Sequence, residues 1–227
     1  MIDRHNVKEV HVFDLDHTLT VGDTFSQFLR GLFTLEPKLW VYLPLLGVVF
    51  LAMCVRLIGN GTAKRIFLTT LLPKVSELKL SEWCLSLARS VEERGLNQPL
   101  LKHLQTLQCR GVHTVMATAS PDLYVNILAS NLAFEAVICT QISPFEKGIC
   151  SGHLLTPNCY GKEKAARASD YVSSHFPGAK VWFYTDHHSD IPLLQQVDHP
   201  VMVCPTKALR AFGEQHGYTL FSDTVHR

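Results

Sequence analysis

Val10-His11-Val12-Phe13-Asp14-Leu15-Asp16-His17-Thr18 is the stretch on which the fold turns. Val10 to Phe13 reads as a short buried strand that ends at Asp14. Runs of similar length recur much later, at Val112 to Ala117, Ala136 to Thr140 and Val181 to Tyr184, with a last short one at Val201-Met202-Val203. Helical patterns follow them or lie between them, at about 98–110, 121–131, 162–175 and 206–216. Strands alternating with helices of this length require right-handed crossovers and a parallel sheet, with the active site at the carboxyl ends of the strands. The expected class is therefore α/β: a Rossmann-like parallel sheet flanked by helices.

From residue 20 to about 95 the chain looks helical and is too long for one crossover, which makes it an insertion after the first strand. The expected division is a catalytic core of residues 1–19 and 96–227 and a helical cap of residues 20–95. Within the cap, Leu39 to Val55 is seventeen residues without a charge, bounded by Lys38 and Arg56. Gln141 to Leu155, with Ser143-Pro144, Lys147-Gly148 and Ser151-Gly152, reads as a turn-rich excursion and a hairpin.

Composition narrows the function. At 227 residues the chain can bury a full core. Its formal net charge of +1 provides no global field to recruit nucleic acid. The cysteines at 54, 84, 109, 139, 150, 159 and 204 form no Cys-x-x-Cys pair, as expected of reduced thiols rather than a disulfide framework or a zinc site. Met1 to Glu9 has no apolar leader, so the catalytic part is expected to face the cytoplasm.

The acidic residues at strand ends carry the chemistry. Asp14 and Asp16 lie two apart, and on an extended chain such side chains leave on one side, which brings both carboxylates to one point. One can then be nucleophile and the other acid. A carboxylate attacks a phosphomonoester only if its charge and that of the phosphate are offset by a divalent cation and a fixed one. Asp186 and Asp190, in Tyr184-Thr185-Asp186-His187-His188-Ser189-Asp190, add hard oxygen ligands that suit Mg²⁺. Lys164, or its competitor Lys162, begins a helix after Gly161 where an ammonium can reach a phosphate. Thr118 ends the strand Val115-Met116-Ala117, and its hydroxyl with the amides beyond can hold a phosphate oxygen. His187 and His188 are read as spacer or rim residues, because adjacent side chains diverge and no third ligand has metal-site spacing.

These four motifs, in this order and at strand ends over about residues 10–194, resemble the haloacid dehalogenase superfamily. The resemblance implies an aspartyl-phosphate on Asp14, with Asp16 as the acid that protonates the leaving oxygen and then activates water. It also implies Thr118 orienting the phosphoryl group and Lys164, preferred to Lys162 on the Gly-x-x-Lys spacing, balancing charge. The implied Mg²⁺ site comprises Asp14, Asp16 through its carbonyl, Asp186 and Asp190. His17 stands where many members carry glycine. The insertion point resembles the subgroup that includes phosphoserine phosphatases. Phe28-Leu29-Arg30, the apolar run with Leu43-Pro44-Leu45-Leu46, Ala117-Thr118-Ala119-Ser120-Pro121 and Asp190-Ile191-Pro192-Leu193-Leu194 are similar to the phosphatidylglycerophosphatase C group.

The apolar run has two readings, cap core or membrane segment. Seventeen helical residues cover about 25 Å, near the lower limit for a hydrocarbon layer of about 30 Å. A single crossing would separate Asp14 from Thr118, Lys164 and Asp186, and Lys64 and Arg65 interrupt the only run that could return the chain. A dip into one leaflet with Pro44 and Gly47 as a bend, an amphipathic surface helix, or cap core remains. The expected enzyme is thus a Mg²⁺-dependent phosphomonoesterase at the cytoplasmic face of the membrane, acting on a phosphorylated lipid headgroup such as phosphatidylglycerophosphate through a membrane-associating segment at 39–58. The alternatives are a soluble enzyme for a small metabolite such as phosphoserine and a non-catalytic binding protein of the same fold. The oligomeric state is not legible.

Overall fold

The computed structural model describes residues 7–221; the reading of Met1 to Glu9 falls largely on residues 1–6, outside that range. The chain begins with β1 (Glu9–Phe13). A set of helices follows: α1 (Thr24–Leu35), a 3₁₀ turn (Pro37–Tyr42), α2 (Leu43–Cys54), α3 (Asn60–Leu71) and α4 (Glu77–Arg94). The rest alternates: α5 (Gln98–Cys109), β2 (His113–Pro121), α6 (Asp122–Asn131), β3 (Ala136–Thr140), a hairpin of β4 (Phe145–Glu146) and β5 (Ile149–Cys150), then α7 (Lys162–His175), β6 (Lys180–Thr185), α8 (Ile191–Leu194), β7 (His199–Met202), α9 (Lys207–His216) and β8 (Thr219–Leu220).

Six strands form one parallel sheet in the order β3-β2-β1-β6-β7-β8. Alternation along β1 divides the core. Val10 and Val12 join the layer with Val115, Phe183, Ala165 and Leu209 on the α7 side, whereas Phe13 joins Leu104, Met116, Tyr124 and Tyr184 on the α5 and α6 side. Since β1 has β2 on one side and β6 on the other, the strand order reverses there, and a crevice opens at the carboxyl ends of these three strands.

Two elements differ from the sequence reading. β2 runs on through Thr118 to Pro121, with its register against β3 shifting after Ala117, so Thr118 lies within the strand's irregular end and α6 starts at Asp122. β8, two exposed residues at the sheet edge, was not expected, because so short a segment carries no periodicity. The expected hairpin is present, turning at Lys147 (φ 52°) and Gly148 (φ 78°), both in the left-handed region that two-residue hairpin turns favour.

The inserted helices leave the sheet through a narrow neck and pack back on the core, α4 against α6. Thr20 and Leu96 pair as an antiparallel bridge, Val21 N donates to Gly95 O at 2.8 Å and Asn97 N to Leu19 O at 2.9 Å. Within the insertion, α1 packs closely on α4: an added Cβ at Gly31 would lie 1.9 Å from the Trp83 ring, whose Nε1 donates to Phe28 O at 3.1 Å. The apolar run behaves differently. Pro37–Cys54 is an 18-residue helical stretch of mean hydropathy 1.7, yet within it only Leu39, Leu46 and Val49 are buried. Trp40, Val41, Leu45, Val48, Phe50 and Leu51 are all more than half exposed. Pro44 sits in the first turn of α2 and Gly47 inside an unbroken helix, so neither makes the bend expected of them. Nor is α2 amphipathic, because it is apolar around its whole circumference.

Candidate active site

Asp14 closes β1, and its amide still belongs to the sheet, donating to Tyr184 O at 2.9 Å. The chain then folds back through Leu15–Leu19, where Thr20 N donates to Leu15 O at 2.9 Å and His17 adopts φ 59°. That conformation is sterically easy only for glycine. It also corrects the extended-chain argument for Asp16, whose position is set by a turn and not by strand pleat.

Asp14 is buried and uses both carboxylate oxygens. Oδ1 accepts from Lys164 Nζ at 2.7 Å, and Oδ2 lies 3.2 Å from Thr18 Oγ1. Thr18 is 3.3 Å from Asp186 Oδ1, its single proton serving one carboxylate at a time, and it accepts from Asp186 N at 2.9 Å. Lys164 Nζ also donates to Asp190 Oδ2 at 2.9 Å, which accepts from Thr185 Oγ1 at 2.7 Å. Lys164 rather than Lys162 therefore meets the nucleophile candidate. At the third position of α7 it is buried, while Lys162 at the first is exposed.

Asp16 is held apart from this cluster. Its Oδ1 accepts from Thr24 N at 2.6 Å and Thr24 Oγ1 at 2.7 Å, and its Oδ2 from Ser120 Oγ at 2.7 Å. Thr118 Oγ1, buried, accepts from Ser120 N at 3.0 Å, which leaves the hydroxyl proton available. His187 Nδ1 lies 2.9 Å from Ser189 Oγ at the rim, and the His187 and His188 rings lie side by side instead of diverging, centroids 4.1 Å apart and tilted by 40°.

Electrostatics distinguishes the two aspartates of the first motif. Burial pushes Asp14 up to about 7 against the pull of Lys164, with Asp190 adding to the rise, and burial pushes Asp186 up to about 6. Asp16 is raised by burial and then by Asp23, while Thr24 and Ser120 pull it back. Burial opposes the Lys164 ammonium, but Asp14 and Asp190 outweigh it and hold the charge.

Three acidic side chains are thus buried around one ammonium that pairs with Asp14 and Asp190, Asp186 being joined through Thr18, and among the described residues Asp190 Oδ1 has no hydrogen-bond partner. Among the described residues no three acidic, histidine or cysteine side chains form a ready-made cage. Mg²⁺ needs none, since it keeps several waters and takes one or two carboxylates. Surplus negative charge, an orphaned carboxylate oxygen and an all-oxygen donor set fit such an ion at Asp14 and Asp186.

Sequence reasoning overlooked Thr18, Thr24, Ser120 and Thr185. Their signal is the density of hydroxyls beside each acidic motif: buried carboxylates need donors, and short hydroxyl side chains supply them.

The chain belongs to the haloacid dehalogenase-like hydrolase family, whose model matches residues 11–195. It is an enzyme, a hydrolase of that type. It is 28% identical over 164 residues to the protein CicA of Caulobacter vibrioides, covering 68% of each chain. Among solved structures it is similar to a protein of unknown function from Bordetella pertussis Tohama I (TM-score 0.82, 19% identity, 96% of this chain and 100% of that one). It is also similar to a phospho-aspartyl intermediate analogue of phosphoserine phosphatase (TM-score 0.65, 13% identity, 96% of this chain and 94% of that one). These similarities establish the α/β fold.

Proposed function

We propose that this hydrolase is a Mg²⁺-dependent phosphomonoesterase that works through an aspartyl-phosphate and acts on a phosphate carried by a lipid headgroup, such as phosphatidylglycerophosphate, at the cytoplasmic membrane face. In the first step an Asp14 oxygen attacks phosphorus and the bond to the leaving alcohol breaks, while Asp16 gives that oxygen its proton. In the second, the Asp16 carboxylate takes a proton from water, the water attacks the phosphorus, and inorganic phosphate leaves with Asp14 restored. Lys164 and the Thr118 hydroxyl hold the phosphoryl oxygens, in a site that excludes bulk water. When bound, Mg²⁺ supplies charge neutralisation between the Asp14 carboxylate and the phosphate.

One observation carries the lipid reading: α2 is apolar on every side and exposed. In water such a helix is a liability, whereas in hydrocarbon it is at home. Charge supports the same environment. Between Glu36 and Glu77 the chain holds no acidic residue, and Lys38, Arg56, Arg65 and Lys74 are exposed, which favours an anionic surface. A one-sided dip keeps Asp14, Thr118, Lys164 and Asp186 in one compartment.

The test is an assay of phosphorylated lipids and small phosphate esters with Mg²⁺ and with EDTA, run beside Asp14→Asn. Turnover with Mg²⁺ that EDTA and Asp14→Asn abolish is expected, with the lipid phosphates preferred. Preference for phosphoserine, with recovery wholly in the soluble fraction without detergent, would establish the small-metabolite reading instead.

A further inference from the structure

Lys64 is a buried cation that the proposed chemistry does not use. It comes from α3 of the insertion, yet its Nζ donates to Ala119 O in the core at 2.5 Å. It is 8% exposed, lies 4.8 Å from the Phe25 ring centroid and forms no ion pair with a carboxylate among the described residues. Burial draws its ammonium down to about 8, partly offset by Asp16 and Asp23. A charge kept at such a cost calls for an acceptor, and the hydrogen-bond acceptor that Lys64 meets among the described residues is the carbonyl of a single peptide group.

That peptide joins Ala119 to Ser120. Its carbonyl accepts from Lys64 and, at 2.7 Å, from Thr140 Oγ1; its N–H donates to Thr118 Oγ1 at 3.0 Å. A cation on a peptide oxygen draws electron density through the amide and makes its N–H a stronger donor. A hydroxyl that accepts a stronger hydrogen bond is in turn a better donor of its own proton. We propose that Lys64 is a positioning residue that couples seating of the inserted helices to phosphate binding, through the chain Lys64 Nζ, Ala119 O, Ser120 N–H and Thr118 Oγ1. The inference rests on Thr118 holding a phosphoryl oxygen. Under it the Thr118 hydroxyl reaches full donor strength only when α3 is seated against β2, so the insertion contributes to phosphate affinity without touching phosphate.

The test uses the full chain with Mg²⁺, inorganic phosphate as the probe and p-nitrophenyl phosphate as an ester whose alcohol carries no second charge. Lys64→Met is expected to raise the Kd for phosphate, measured by calorimetry, about tenfold, the scale of losing one charge-assisted hydrogen bond. Lys64→Arg should remain within about threefold of the parent because it restores the charge and the donor. In a Thr118→Val background, Lys64→Met should cost less than about twofold, since the two residues act in series. Should Lys64→Met fail to fold, Lys64→Gln, which keeps a donor and loses the charge, is read in the same way. Full additivity of the Lys64 and Thr118 losses overturns the proposal. So does an unchanged Kd, or a loss confined to esters whose alcohol carries a second anion, which would make Lys64 a reader of the leaving group. Turnover of p-nitrophenyl phosphate by the parent checks the phosphatase reading separately: phosphate binding without turnover would remove that reading and leave the Lys64 comparison intact.

Discussion

At the scale of single residues, Asp14 and Asp16 differ by what surrounds them, and that difference generates distinct tests. Asp16 accepts three hydrogen bonds from Thr24 and Ser120 and none from Lys164. Asp16→Asn removes the proton donor and the later base but leaves the nucleophile. Steady-state turnover of an alkyl phosphate is therefore expected to fall about 10²–10⁴-fold. On p-nitrophenyl phosphate, whose leaving group needs no proton, a burst of one product per enzyme followed by a stall is expected in stopped-flow traces, and a uniformly slow trace would count against the assigned roles. The raised carboxyls give a second test. Asp14 at about 7 and Asp186 at about 6 lie above the ordinary 3.8, so between these values the native state holds more protons than the unfolded one. Stability is then present at low pH and is lost as pH rises through about 6 to 7. Because Mg²⁺ competes with those protons, thermal melts should show it raising Tm by about 5–10 °C at pH 8 when saturating, and scarcely at pH 5. Asp14, Asp186 and Asp190 were legible because each closely follows a strand, whereas Lys164 was separated from Lys162 only by the Gly-x-x-Lys spacing of the resemblance and Asp16 was placed by a strand argument that the turn at Leu15–Leu19 replaces. Thr18 and Thr24 were not, since a hydroxyl's role depends on which carboxylate the fold brings to it.

At the scale of elements, the strands and helices of the core follow from period and punctuation, and the failures have local causes. β2 continues past Ala117 because Thr118–Pro121 stays extended against β3 although its pairing register slips. The bend expected at Pro44 and Gly47 is missing because proline is tolerated in a first helical turn and a lone glycine does not break a helix. Helix packing inside the insertion depends on Gly31, and Gly31→Val should destabilise by about 1–3 kcal/mol by driving Trp83 off α1, as read from urea denaturation. On α2, Phe50 and Leu51 are 56% and 62% exposed. A Phe50→Asp, Leu51→Asp double variant should lose more than tenfold in binding to anionic vesicles, given a cost of about 3 kcal/mol for each aspartate in hydrocarbon. Turnover of a soluble ester by the same variant should stay within about twofold, and equal losses in both assays would sink the membrane role of α2.

At the scale of the whole molecule, sequence order and space are related simply: the sheet is built from β1 and the second half of the chain, and residues 20–95 between them form an insertion that packs back on the core through α4 and α6. The fold class was legible because alternation of strand and helix permits few topologies. The seating of α3 on β2 was not, because Lys64 stands in an apolar stretch where the sequence records only an interruption. The neck at Thr20 and Leu96 is one of several joins between insertion and core. Its two strands enter and leave side by side, yet residues 21–95 also grip the core, with Thr24 donating twice to Asp16 and α4 packed along α6. A foreign insertion spliced at the same two peptides would have to replace the two Thr24 donors to Asp16. To run at full rate, such a chimaera would also have to bring its own donor for the Ala119 carbonyl.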